Sequence, residues 1–273
     1  MKKIILALFL VVALPALAWN QRTPNPVAQC QVHAPYGFPQ SVRPIQPICR
    51  QAYVVGYDAT VKLPEFVMWT LTPDHALGCV ARSNAFAADQ SVQGGATPQD
   101  YAGTGYDKGH MAPDGDQSWD TQVEFESFLM TNMSPQAGSL NRGIWKLLET
   151  SVRGWVAERN QSYTIVSGGV YSQGDLIIGN GVLVPHAFYK IVINNQTKEV
   201  AGWMFPHVKP YPNLGNDLTK FRLPVAQIEQ QAGVKYAMPA GAIELQPGKE
   251  WAVDFGALTN QKRKLCGTNA SVD

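Results

Sequence analysis

YDKGHMAP, residues 106–113, sets an acid, a base, a glycine and a histidine side by side and stops on a proline. A solvated charged turn would explain it. A histidine held at the end of a strand for chemistry would explain it too. The residues around it decide between the two.

The next long segment, SLNRGIWKLLETSVRGWVAERN over 139–160, predicts a helix. Ile144, Leu148, Ser151, Val152 and Trp155 recur at spacings of three and four, and Leu147 and Val156 widen that apolar stripe. Asn141, Trp145, Glu149 and Arg153 are each four apart and form a second line, drifting about 40° per step. An amide, a carboxylate and a guanidinium thus share one helix edge. On an ideal helix Asn141 and Glu149 lie about 12 Å apart along the axis, too far to grip one ion alike. The natural arrangement is Asn141 as a direct ligand and Glu149 acting mainly through water on the metal, because helical side chains lean toward the N-terminus. A site of few protein oxygens and many waters suits Mg²⁺, with Mn²⁺ as a substitute. A neutral histidine supplies the base near pH 7, and His110 beside Lys108 is the candidate.

DKGH at 107–110, NMSPQ at 132–136 and NRGIWKLLE at 141–149, in this order and spacing, resemble the signature of the DNA/RNA non-specific endonucleases. These are the ββα-metal (His-Me finger) nucleases of the Serratia nuclease and endonuclease G type. The resemblance runs from about Pro35 to about residue 260. It implies an α+β fold with a central antiparallel sheet flanked by helices, and Mg²⁺-dependent hydrolysis of DNA and RNA to 5′-phosphate products without sequence preference. It also implies roles. His110 is the general base and Asn141 the metal ligand. Glu149 organises water on the metal, Asn132 positions base and substrate, and Arg153 and Arg82 contact phosphate. Lys108 stands where the family carries arginine, which keeps the charge and loses the two-pronged grip on phosphate.

Each feature alone has a plainer explanation. Asn141 suits a helix cap, and Glu149–Arg153 is an i,i+4 pair of about 0.2–0.5 kcal/mol. Asp107 reads as fixing the turn. Asp114 and Asp116 read as a loop or as a second acidic site. His33, His75, His186 and His207 show no metal-ligand spacing and read as structural or surface. The alternative to an enzyme is a non-catalytic nuclease-like domain that binds nucleic acid or protein. The filled His, Asn and Glu positions argue against it.

The rest of the chain sets the frame. Residues 1–18 read as a signal peptide: Lys2 and Lys3, an apolar run from Ile4, and an Ala16-Leu17-Ala18 cleavage site. This predicts a periplasmic or extracellular protein with one nuclease domain over 19–273 and no membrane association once the signal is removed. Cleavage lowers Lys+Arg from 22 to 20 against 21 Asp+Glu, leaving a net charge of −1. Polyanion binding must therefore rest on local cations: Arg82, Lys108, Arg153 and Arg142. Cys30, Cys49, Cys79 and Cys266 predict two disulfides in an oxidising compartment. Three pairings are open and the sequence does not choose among them; the expectation is Cys30–Cys49, a short loop, with Cys79–Cys266 tying the C-terminal tail to the body. Strand-like runs occupy 52–59, 66–73, 163–171, 186–195 and 199–206, the last two joined as a hairpin. A second helix is expected at 224–233, and residues 20–50 read as irregular.

Overall fold

A computed structural model describes residues 26–267. The signal sequence lies outside the described residues. The centre is a seven-stranded sheet with spatial order β9-β8-β7-β6-β3-β2-β1. These strands are β1 (Gln46–Cys49), β2 (Val54–Asp58), β3 (Leu63–Leu71), β6 (Tyr163–Val170), β7 (Ala187–Asn194), β8 (Glu199–Pro206) and β9 (Ile243–Glu244). Every pairing is antiparallel except the two-residue edge strand β9, which runs parallel to β8. A separate hairpin pairs β4 (Tyr106–His110) with β5 (Met133–Ala137).

Period-two alternation builds both layers of the core. On β3, Val67 and Trp69 face one side while Phe66 and Met68 face the other. The first side packs against helix α2 (Lys146–Arg159) through Leu148, Val152 and Trp155. The second packs against α3 (Val225–Ala232) through Ile228 and Ala232. Two further helices are α1 (Thr121–Ser127) and α4 (Phe255–Cys266). With both faces covered, every residue of β6 and β7 is buried.

Three sequence expectations change. The helix expected over 139–160 is not continuous: Asn141–Trp145 forms a wide π-type turn, broken at Gly143 (φ −104°, ψ −118°), and regular helix starts at Lys146. The segment 20–50 is not wholly irregular, since Gln46–Cys49 is the sheet edge and tolerates Pro47 there. The C-terminal helix α4, capped by Asp254, was not anticipated.

The disulfides are Cys30–Cys49 and Cys79–Cys266. The second spans 187 residues and ties α4 to the loop that leads into Arg82. In the chain-entropy picture such a long loop contributes on the order of 5 kcal/mol. Thiol titration of the denatured, unreduced protein should find no free cysteine, and reduction should lower the midpoint of thermal unfolding. Two or more free thiols would contradict the pairing.

Candidate active site

The β4–β5 hairpin sets the base. His110 pairs with Met133 and Gly109 with Ser134. A Cβ at Gly109 would lie 2.1 Å from Gln136 Oε1, so a larger residue there would have to displace the buried Gln136 side chain. Asn132, just before β5, is fully buried. Its Oδ1 accepts from Ala112 N (2.9 Å), and its Nδ2 donates to Ala112 O (2.8 Å) and Ser127 O (2.7 Å). Trp145 Nε1 donates to His110 O at 3.3 Å. The backbone on both sides of the histidine is thereby fixed.

The π-type turn and the first turns of α2 bring Asn141 and Glu149 to the same hollow as His110. The cavity, about 300 Å³, is lined by Arg82, Lys108, His110, Asp114, Asn141, Arg142, Lys146, Glu149 and Arg153 among others. Five of these nine are basic and two acidic, which supplies the local positive field that the near-neutral chain lacks globally. Lys146 is a cation that the sequence reading did not single out.

Burial governs the ionisable groups. It lowers the His110 imidazole from 6.5 to about 4; Arg82 pushes the same way and Asp114 opposes. The ring is therefore neutral at pH 7, as a base requires. Burial raises the Glu149 carboxyl to about 7, against the pull of Lys190 and Arg153. Lys190 is the largest surprise. Alternation along β7 places it with Phe188 and Val192 on the α2 face. It is 1% exposed, its Nζ lies 3.9 Å from Glu149 Oε1, and it sits over the rings of Trp145 (4.3 Å) and Trp69 (5.1 Å). No feature of HAFYKIVINN marks it, because a lysine inside a strand run reads as an outward residue.

Several roles shift with this geometry. Asn132, expected to position base and substrate, does not line the cleft; both ends of its amide hold the segment that follows His110. Arg153 lines the cleft but is also buried against Asp116 (Nη1–Oδ1 2.9 Å), which in turn accepts from Trp69 Nε1 (2.9 Å). Asp114 pairs with Arg82. The two aspartates thus orient cations rather than form a second acidic site. Among the described residues no group of three His, Cys, Asp or Glu could hold a metal ion. Asp107 does not fix a turn: it lies within β4, accepts from Asn141 Nδ2 (3.0 Å) and approaches Arg142 Nε (3.4 Å). The remaining histidines have structural partners: Gln51 O for His33, Trp119 for His75, Asp175 for His186, and Ala137 N with Pro185 O for His207.

Replacing Asp116 with alanine should remove the carboxylate that pairs with the buried Arg153 guanidinium. The expected loss is about 3–5 kcal/mol of stability, read from denaturant unfolding. A loss below about 1 kcal/mol would show that Arg153 does not depend on this pair.

The donor set fits a hard divalent cation. Asn141 spends its amide nitrogen on Asp107, so its carbonyl oxygen is the atom left for a cation. Glu149 Oε1 is buried, and no described residue hydrogen-bonds to it. Two oxygen donors without cysteine or a histidine cluster suit Mg²⁺ better than Zn²⁺.

A sequence profile described as DNA/RNA non-specific endonuclease matches residues 31–241. The chain belongs to the DNA/RNA non-specific endonuclease family. It is 31% identical over 202 residues to a nuclease of Nostoc sp., covering 68% of this chain and 71% of that one. It is 29% identical over 222 residues to human mitochondrial endonuclease G, covering 74% and 72%. A chain in the crystal structure of an EndoG/EndoGI complex superposes with a TM-score of 0.70 at 26% identity, covering 84% of this chain and 99% of that one. The β4–β5 hairpin followed by α2 is the ββα unit of this nuclease family. The protein is a nuclease, a hydrolase acting on nucleic acid.

Proposed function

We propose that this member of the family is a periplasmic or extracellular endonuclease that cuts DNA and RNA without sequence preference, dependent on Mg²⁺. The observation that supports it most is the convergence of His110, Asn141 and Glu149 with five cations on one cleft. The two disulfides favour an oxidising compartment, and the signal-like residues 1–18 agree with export.

In this reading His110 takes the proton from a water as its oxygen bonds to phosphorus, while the bond from phosphorus to the 3′ oxygen breaks and that oxygen leaves as a 3′-hydroxyl after gaining a proton from solvent. Arg82, Lys108 and Arg142 hold the phosphate backbone. Asn141 directly, and Glu149 through coordinated water, would hold Mg²⁺ (or Mn²⁺), which stabilises negative charge on the phosphate and its leaving oxygen. Asn132 keeps the base segment in place, and Arg153 adds charge from the floor. The proposed attack needs no 2′-hydroxyl, so either sugar serves. Phosphate contacts carry no sequence information directly.

The test is a limited digest of DNA and RNA with sequenced ends. We expect 5′-phosphates, no consensus at the cut, and activity that falls with salt at a slope of a few phosphate contacts. Products ending in 3′-phosphate, or a strong consensus, would overturn this mechanism.

A further inference from the structure

A general base is ordinarily oriented by a hydrogen bond from a third group. His110 departs from that pattern. Its Nε2 is buried, and no described residue hydrogen-bonds to it. The ring packs instead against two phenylalanines that neither motif nor spacing singles out. Phe128 meets it at 4.8 Å between centroids and 89° between planes. Phe86 meets it at 5.8 Å and 56°. The two phenyl rings also meet each other edge to face, at 4.9 Å and 84°.

The same rings carry two of the cleft's cations. The Arg82 guanidinium lies 4.9 Å over Phe128, and Lys108 Nζ lies 4.7 Å over Phe86. The backbone locks these pieces together. Ala87 N donates to Phe128 O (3.3 Å), and Met130 N donates to Ala87 O (2.9 Å). Ser83 N donates to Glu124 Oε1 on α1 (2.7 Å). The loop carrying Arg82 and Phe86 is thus stitched to the segment carrying Phe128.

We propose that Phe86 and Phe128 are positioning residues: a two-ring clamp that orients the His110 imidazole and perches Arg82 and Lys108 on the wall of the cleft. The inference rests on His110 being the base. Edge-to-face geometry selects one ring orientation, and a ring face attracts a cation without using up its hydrogen-bond donors. The donors of Lys108 are thereby kept for phosphate, while Arg82 spends Nε on Asn84 and Nη1 on Asp114. An angular error in a base is costly, since misplacement on the order of 1 Å can cost about 10²-fold in rate.

The experiment compares Phe128→Leu, Phe86→Leu and Phe86→Tyr with wild type. The substrates are DNA and bis(p-nitrophenyl) phosphate, a diester too small to span several cations. Circular dichroism and melting confirm folding. For the small diester, Phe128→Leu and Phe86→Leu should lower kcat about 10- to 100-fold with KM within about threefold. Phe86→Tyr keeps the ring and should return to within about threefold of wild type. The His110 ring-proton NMR signals should shift in both leucine variants as the ring currents vanish.

Folded leucine variants with wild-type kcat would overturn the clamp, as would a Phe86→Tyr variant no better than Phe86→Leu. If Phe128→Leu does not fold, the Phe86 pair decides. Failure of the underlying reading shows separately, as a folded His110→Ala variant that cuts within a few-fold of wild type.

Discussion

His110→Ala should lower kcat about 10²- to 10⁴-fold, the usual cost of losing a general base, with the fold retained. The imidazole lines the cleft, and burial keeps it neutral at pH 7. Its backbone is held by the β4–β5 register and by Trp145, which alanine leaves in place. The same burial predicts a pH signature. Between pH 6.5 and about 4 the unfolded chain protonates this histidine and the folded chain does not. Its contribution to stability therefore declines as pH falls through that window, and His110→Ala should lack this part of the acid sensitivity. Denaturant unfolding of both proteins from pH 7 to pH 4 measures it. A folded variant that cuts within a few-fold of wild type would remove His110 from the chemistry.

Asn141→Ala and Glu149→Ala should both cripple cleavage, by different routes. Asn141 offers a carbonyl oxygen directly, so its loss should raise the Mg²⁺ concentration needed for half-maximal rate, on the order of 10- to 100-fold. Glu149 is buried beside Lys190 and in the proposed site acts through water, so its loss should depress the rate even at saturating Mg²⁺. Activity against Mg²⁺ concentration, with calorimetric titration of Mg²⁺ into each protein, separates the two. Identical, full rescue of both variants by added Mg²⁺ would contradict the division of labour.

Much of this was legible from residue order. The strand runs at 163–171, 186–195 and 199–206 became β6, β7 and β8 because β-branched and aromatic residues there are buried on both faces. The three motif blocks brought His110, Lys108, Asn141 and Glu149 to one cleft, and Arg82 joined them. What the sequence hid were tertiary partners. Nothing near Arg153 announces Asp116, which lies 37 positions earlier. Lys190 owes its role to the Trp69 and Trp145 rings, from distant elements. The motif implies that Asn132 positions base and substrate, and residue order gives no sign that Ala112 and Ser127 are the partners of its amide. The π-type turn escaped because an apolar period of three and four tolerates one widened turn, and Gly143 lowers the cost of making it.

A single comparison tests the proposed metal-dependent activity most directly. Plasmid DNA and a structured RNA are incubated with the mature protein in millimolar Mg²⁺, in excess EDTA, and in EDTA titrated back with Mg²⁺. Both nucleic acids should be degraded in Mg²⁺, spared in EDTA, and degraded again when Mg²⁺ is restored. Undiminished cutting in excess EDTA would contradict the proposed metal-dependent site built on Asn141 and Glu149.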